Sequence, residues 1–350
     1  LLIAATASAQ TPLPRNQFLN GTIFEDVTLQ TGVSHIGHGK CTALVDFDRD
    51  GDLDLYLGVV YGANKFYQNQ GNFRFVNITE ATGTGNVYDT HGAVFADFNN
   101  DGLVDLYVAN NVEAASERRG IMRQPNAFYV MSGEGVFVDR AISAGVAGFP
   151  DNFSCGVTTA DLNGDGLLDL YVAKGGYRSG ELCANSLFIN QGKESFVDIA
   201  KAAGVADEGN GYCCAFADYD NDGDPDLYVG CLNEFDKPVT RRLYRNDGNM
   251  KFTDVTETLG LAAKGYDVSC FWGDIDNDGD LDLFLANSTG KGAAADKNYA
   301  ANTLLRNNGD GTFTDISKES GVDILTNSRG CTMGDVDNDG DLDIYVTNSM

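Results

Sequence analysis

Six stretches of the chain set aspartates at alternate positions around a glycine, a spacing that gathers several carboxylates about one point. They are Asp46–Tyr56 (DFDRDGDLDLY), Asp97–Tyr107 (DFNNDGLVDLY), Asp161–Tyr171 (DLNGDGLLDLY), Asp218–Tyr228 (DYDNDGDPDLY), Asp274–Phe284 (DIDNDGDLDLF) and Asp335–Tyr345 (DVDNDGDLDIY). Oxygen-bearing side chains recur at positions one, three, five and nine. The sets are Asp46, Asp48, Asp50 and Asp54; Asp97, Asn99, Asp101 and Asp105; Asp161, Asn163, Asp165 and Asp169; Asp218, Asp220, Asp222 and Asp226; Asp274, Asp276, Asp278 and Asp282; and Asp335, Asp337, Asp339 and Asp343. The backbone carbonyl of position seven is a further candidate oxygen, from Asp52, Leu103, Leu167, Asp224, Asp280 and Asp341. Carboxylates this close repel at neutral pH, and a hard cation relieves the repulsion. Calcium accepts six to eight oxygens in a flexible geometry, so crowded aspartates suit it better than magnesium. The glycine at position six permits the turn that wraps the chain round an ion. Aspartates also form plain turns, but six copies in one frame exceed what turns require.

The EF-hand begins in the same way but needs a bidentate Glu at position twelve and a following helix. Position twelve here is Leu57, Val108, Val172, Val229, Leu285 and Val346, each within a strand-like run. The EF-hand is therefore excluded, and up to six calcium ions are expected. Loops two and three carry Asn99 and Asn163 at position three and leucine at position seven, so weaker binding is expected there.

The loops hold 26 of the 51 acidic residues, so the formal charge of −27 is placed and not scattered. Such a charge argues against nucleic acid and anionic membrane surfaces, whose neutralisation needs clustered Lys and Arg. No stretch is apolar and long enough to span a bilayer.

Between successive loops lies a second motif: NKFYQNQGNFRFVNIT from Asn64, NAFYVMSGEGVFVDRA from Asn126, NSLFINQGKESFVDIA from Asn185, RLYRNDGNMKFTDVT from Arg242 and NTLLRNNGDGTFTDIS from Asn302. Loop starts are 51, 64, 57, 56 and 61 residues apart. Each unit offers four strand-like pieces, in the first unit 41–47, 54–59, 65–68 and 73–78, separated by Gly, Asn and Asp turns. Four short strands per unit, repeated radially, predict an all-β chain, a β-propeller of four-stranded blades. Five blades are complete, with partial blades at both ends. Residues 22–28 match only the last strand of a blade; such a strand would seal a ring by pairing with the final blade, but the N-x-L-Y-x-N strand between them is missing, so an open or imperfect ring is expected. The missing remainder of the sixth unit suggests a C-terminally truncated propeller whose parent has about seven blades.

These loops resemble the FG-GAP/VCBS repeats of integrin α-subunit propellers. The paired motif, as in NNGDGTFTDIS from Asn307, and the opening FEDVTLQTGV from Phe24 resemble more closely the cartilage-acidic-protein-like (ASPIC-type) repeat proteins. The resemblance covers residues 22–350 and implies a calcium-binding propeller of a secreted or cell-surface protein.

Residues 1–9, apolar and ending Ala7-Ser8-Ala9, read as the remnant of a signal peptide, with 10–21 a linker. An exported, extracellular or periplasmic, protein follows. Export permits disulfides among the eight cysteines. Cys41, Cys155, Cys213, Cys214, Cys270 and Cys331 precede loops, on strands that read as buried. Cys183 and Cys231 lie in connecting segments and are the pair open to a disulfide; sequence does not set the connectivity. His35, His38 and His91 form no catalytic motif. Arg118, Arg119, Arg123, Arg241 and Arg242 read as solvated loop charge. The functional expectation is a non-catalytic binding or adhesion module for an extracellular protein or glycan, with calcium stiffening each blade's first hairpin. The alternative is a propeller-type carbohydrate-active enzyme, such as a polysaccharide lyase, with its site in the central depression. Neither the ligand nor the oligomeric state is legible.

Overall fold

The aromatic and β-branched runs that flank each Asp loop form antiparallel strands, and each complete repeat folds as one sheet. The computed structural model describes residues 3–5, 24–33, 35, 37–111, 125–148, 153–175, 183–232, 241–262, 266–288 and 301–348. The chain divides into two units, residues 28–211 with 249–251, and residues 1–27 with 212–248 and 252–350.

Near the N-terminus, β1 (Ile3–Ala5) pairs with β2 (Phe24–Asp26). Blade one is β3 (His38–Val45), β4 (Asp54–Val60), β5 (Lys65–Asn69) and β6 (Phe75–Asn77). Blade two is β7 (Asp89–Ala96), β8 (Asp105–Asn111), β9 (Ala127–Ser132) and β10 (Val136–Asp139). Blade three is β11 (Ser154–Ala160), β12 (Asp169–Lys174), β13 (Ser186–Asn190) and β14 (Phe196–Asp198). Blade four is β15 (Gly211–Ala217), β16 (Asp226–Cys231), β17 (Arg242–Asn246) and β18 (Phe252–Asp254), and blade five is β19 (Asp267–Gly273), β20 (Asp282–Asn287), β21 (Thr303–Asn307) and β22 (Phe313–Asp315). The sixth copy supplies β23 (Ser328–Gly334) and β24 (Asp343–Asn348). Strand order within every complete blade is sequential, the antiparallel meander expected of a β-propeller blade. The fold class is therefore all-β and propeller-like. Among the described residues β2 pairs with β1, and β24 pairs with β23, so 24–26 is not a strand of the sixth copy's sheet.

Local departures from the sequence reading have local causes. Asn72 and Phe73 adopt φ of 51° and 56°, a two-residue turn that delays the fourth strand to Phe75. Lys193–Glu194 and Asn249–Met250 repeat this turn. Four-residue helices, which the sequence did not mark, precede glycines at the blade ends: α2 (Thr79–Thr82), α3 (Ala141–Ala144) and α4 (Ala200–Ala203) follow α1 (Thr28–Thr31). Gly145 and Gly204 end two of them in the left-handed region, with Val146 and Val205 N–H bonding back to Ala141 and Ala200 carbonyls at 2.9 Å.

Position eleven of the first five loop motifs carries the core. Tyr56, Tyr107, Tyr171, Tyr228 and Phe284 are wholly buried on the second strands. A buried hydroxyl needs a partner: Tyr107 donates to the Val146 carbonyl at 3.0 Å and Tyr171 to the Val205 carbonyl at 3.1 Å.

The asparagine that opens the second motif clasps one blade to the next. Asn64 Oδ1 accepts from Val59 N–H, and its Nδ2 donates to Tyr56 Oη and to Thr90 Oγ1 of blade two, all at 2.8 Å. Asn126 does the same towards Tyr107 and Ser154 of blade three. Asn302 Oδ1 accepts from Ser328 Oγ of the sixth copy at 3.0 Å. Blade four replaces this neutral pair with a charged one. Arg241 Nη2 donates to Asp267 Oδ1 at 2.9 Å, with the two side chains 4% and 1% exposed, and Tyr228 donates to Asp267 Oδ2 at 3.1 Å. Arg241 is thus buried inter-blade charge, which corrects its reading as solvated. Arg242 pairs across the sheet with Asp254 at 3.4 Å; Arg118, Arg119 and Arg123 lie outside the described residues.

Removing one member of a buried ion pair strands the other. Asp267→Ala should lower unfolding free energy by roughly 3–5 kcal/mol. The double change Arg241→Asn with Asp267→Ser, copying the clasp of the neighbouring blades, should recover most of it. Urea unfolding of the three proteins checks this; a double variant no more stable than Asp267→Ala would refute the shared role.

Candidate metal centre

All six loops fold alike. The carboxylate of position one accepts the backbone N–H groups of positions five and six; in loop one Asp46 takes those of Asp50 at 3.1 Å and Gly51 at 3.0 Å. The same two bonds recur at Asp97, Asp161, Asp218, Asp274 and Asp335. Position five accepts the N–H of position seven, as Asp52 to Asp50 at 2.9 Å. This winding requires two left-handed residues. Position six is glycine in every loop, with φ of 92° at Gly51 and 94° at Gly279. Position four is left-handed as well, at Arg49, Asn100, Gly164, Asn221, Asn277 and Asn338, a role the spacing of the acids did not disclose. Asparagine tolerates this region better than most residues.

Position nine joins the loop to the sheet. Asp54 Oδ2 accepts Phe47 N–H at 3.0 Å, and Oδ1 accepts Asn69 N–H of the third strand at 2.7 Å. Asp105, Asp169, Asp226 and Asp282 repeat the bridge to Met131, Asn190, Asn246 and Asn307. These five carboxyls have at most 1% exposure. The second asparagine of the interloop motif, quoted in the sequence without a role, is therefore the residue that anchors four of them. Its amide acts too: Asn190 Nδ2 donates to Phe98 O and Asn307 Nδ2 to Tyr219 O, each in the preceding loop but one, at 2.7 Å.

The expected ligands converge. Asp46, Asp48 and Asp50 bring one carboxylate oxygen each within 4.8 Å of the others, as do Asp218, Asp220 and Asp226, Asp274, Asp276 and Asp282, and Asp335, Asp337 and Asp339. Asp220 Oδ1 is buried and accepts no hydrogen bond. An unsatisfied buried carboxylate oxygen inside an oxygen cluster is the donor a hard cation would take. Loops two and three differ as their sequences imply. Asn99 Nδ2 donates to Asp101 Oδ2, and Asn163 Nδ2 to Asp165 Oδ2, both at 3.0 Å, so an amide takes up part of the charge. The oxygens at positions one, three, five and nine can hold a hard divalent ion, and the position-seven carbonyls stand in the same turn.

Burial raises the position-nine carboxyls, against the two backbone donors that favour charge and with the neighbouring aspartates adding to it. Asp54, Asp169 and Asp282 rise to about 6, and Asp105 and Asp226 to about 7.

The remaining candidates are not brought together. None of the eight cysteines is disulfide-bonded. Cys183 and Cys231, the pair open to a disulfide, are both buried thiols and are not linked. The thiols that meet are Cys213 and Cys270, on the first strands of blades four and five. His38 packs edge-on against Tyr61, and His91 Nδ1 lies 3.9 Å from the Sγ of Cys155, a thiol 3% exposed. No helix among the described residues is long and apolar enough to cross a membrane.

Four-stranded blades that each begin with an oxygen-lined loop define a repeat protein of the β-propeller class. A family model described as FG-GAP-like repeat matches residues 46–108, 173–229, 236–285 and 292–346, and the chain belongs to that family. Cartilage acidic protein 1 of Mus musculus is 24% identical over 320 residues, 86% of this chain and 47% of the relative, and that of Homo sapiens is 24% identical over the same length. The Xenopus tropicalis protein of that name is 28% identical over 179 residues, 49% of this chain and 25% of the relative. The chain spans about half the length, or less, of these curated relatives. Among solved structures, the Vibrio cholerae biofilm matrix protein Bap1 aligns over 79% of this chain and 39% of its own at 16% identity and a TM-score of 0.45. BBS1N from its complex with ARL6DN aligns over 89% and 90% at 9% identity and 0.41.

The raised carboxyls set a sign for pH. A folded-state pKa above the unfolded value contributes stability that is present at low pH and lost as pH rises through the folded value. Metal-free protein should therefore melt higher at pH 5 than at pH 8, with the loss beginning above the ordinary carboxylate value of 3.8 and complete above about 7. A bound divalent cation should reverse the order. Thermal melts across that range, with chelator and with calcium, test both signs.

Proposed function

We propose that the chain is a calcium-binding, non-catalytic adhesion-type module of an exported protein. In this reading calcium occupies the loops through the side chains of positions one, three, five and nine and the carbonyl of position seven, and the stiffened blades present a surface to an extracellular protein or glycan. The observation that carries it is the convergence of three carboxylate oxygens in each of loops one, four, five and six, above all in loop four, where the buried Asp220 Oδ1 accepts no hydrogen bond. Family membership and the likeness to cartilage acidic protein 1 support the same direction. Residues 1–9 then serve as the end of a signal peptide, 10–21 as a linker and 22–350 as the propeller.

Each ion fixes a loop already tied to two strands through position nine, so its energy passes into the first hairpin and the third strand. Extracellular modules bind calcium at roughly 0.1–1 mM. A hundredfold excess over the dissociation constant stabilises by about 2.7 kcal/mol per site. A melt in millimolar calcium should lie well above one in chelator, several ions should co-purify per chain, and magnesium at equal concentration should do far less. Asp50→Ala and Asp278→Ala should each remove one ion and leave the others. A chain with no bound metal and no calcium-dependent melt would sink this reading.

A further inference from the structure

Neighbouring loops touch through a residue that is not a ligand. Asn277, at position four of loop five, donates from Nδ2 to Asp341 Oδ1 of loop six at 2.8 Å and to the Gly340 carbonyl at 3.4 Å. Asn221 of loop four donates to Asp280 Oδ1 of loop five at 2.6 Å. Asn100 of loop two donates to the Gly166 carbonyl of loop three at 2.8 Å. In loop one the position is Arg49, whose Nη2 lies 3.3 Å from where a Cβ would stand on Gly102 of loop two. So position four of one loop repeatedly meets position six or seven of the next. Loop three alone has glycine there, Gly164, and has no side chain with which to donate.

We propose that these links make cation binding cooperative between adjacent loops, with the position-four side chain as the coupling element. The inference rests on the calcium reading above. Position four sits between the ligands of positions three and five, so its backbone is part of the turn that must be ordered round an ion. Its side chain grips position seven of the next loop, whose own carbonyl is a candidate ligand. An ion in loop six orders Asp341, which fixes Asn277, which in turn holds Asp276 and Asp278 apart at the spacing an ion needs. The second ion then meets a loop whose ordering entropy is already spent, and its affinity rises. Coupling of this kind is commonly worth about fivefold or more in affinity, and it is reciprocal.

The chain has one tryptophan, Trp272, two residues ahead of Asp274, and its ring stacks on Tyr219 of loop four at 6.5 Å. Its emission during a calcium titration follows loops four and five in the whole protein, while metal analysis counts the ions. Asp339→Ala removes a ligand from loop six without touching loop five. Asn277→Gly removes the link yet keeps the left-handed backbone, as Gly164 does at φ 70°. We expect Asp339→Ala to shift the Trp272 transition to about fivefold higher calcium, and to shift it less than twofold when Asn277→Gly is already present. Equal shifts in the two backgrounds, or no shift in either, with the ion count reduced by one as intended, would overturn the coupling and leave the calcium sites standing. A wild-type chain that binds no calcium would overturn both.

Discussion

A carboxylate buried at the base of every complete blade is the constraint from which the rest follows. Position nine is the first residue of the second strand, and at Asp54, Asp105, Asp169, Asp226 and Asp282 it is shut away from solvent. A buried carboxyl with nothing to accept would be expelled or neutralised. Here one oxygen takes the N–H at position two of its own loop and the other takes an N–H from the third strand. That single side chain therefore sets how the loop departs from the first strand, where the second begins and how the third lies against it. The desolvation left over shows as the raised pKa, and it is the part of the interaction that a cation could offset.

The blade's other buried polar groups obey the same accounting. The Tyr hydroxyl at position eleven would be stranded in the core, so it is given a carbonyl or the next blade's Asp. The clasping asparagine satisfies a strand end and a hydroxyl across the blade boundary. Blade four shows that the clasp is a matter of geometry and not of residue type. Arginine and aspartate fill the same space and make the same connection, at the greater desolvation cost of two charges.

The ligand loops and strands were legible because they depend on local spacing. Alternate aspartates round a glycine define a turn whatever surrounds them, and Asp46, Asp48 and Asp50 converge as their positions imply. What was not legible depends on partners distant in sequence. Arg241 reads as surface charge until Asp267, on the following blade, is seen beside it. Cys213 and Cys270 are 57 residues apart and meet only because two first strands lie together. Position four drew no reading, since its value lies in a positive φ and in a neighbour 64 residues on, as from Asn277 to Asp341. The helical turns escaped because four residues are too few to express a period of 3.6.

The loops are not equivalent, and the difference has a physical direction. In loops two and three an amide replaces the carboxylate of position three and donates to position five, so repulsion is lowered and a hydrogen bond gained with no ion present. These loops hold their shape by themselves. Loops one, four, five and six carry five aspartates each, and in loop four a buried oxygen remains unsatisfied. Their turn is as tight, but more like charge is confined in it. The cation that binds most strongly to such a loop is also the one whose loss leaves it least stable. Loops one to three lie in the unit of residues 28–211 and loops four to six in the other. On the calcium reading, then, a fall in calcium loosens loops one, four, five and six while loops two and three keep their form, and the repeat works as a graded support and not as six copies of one switch.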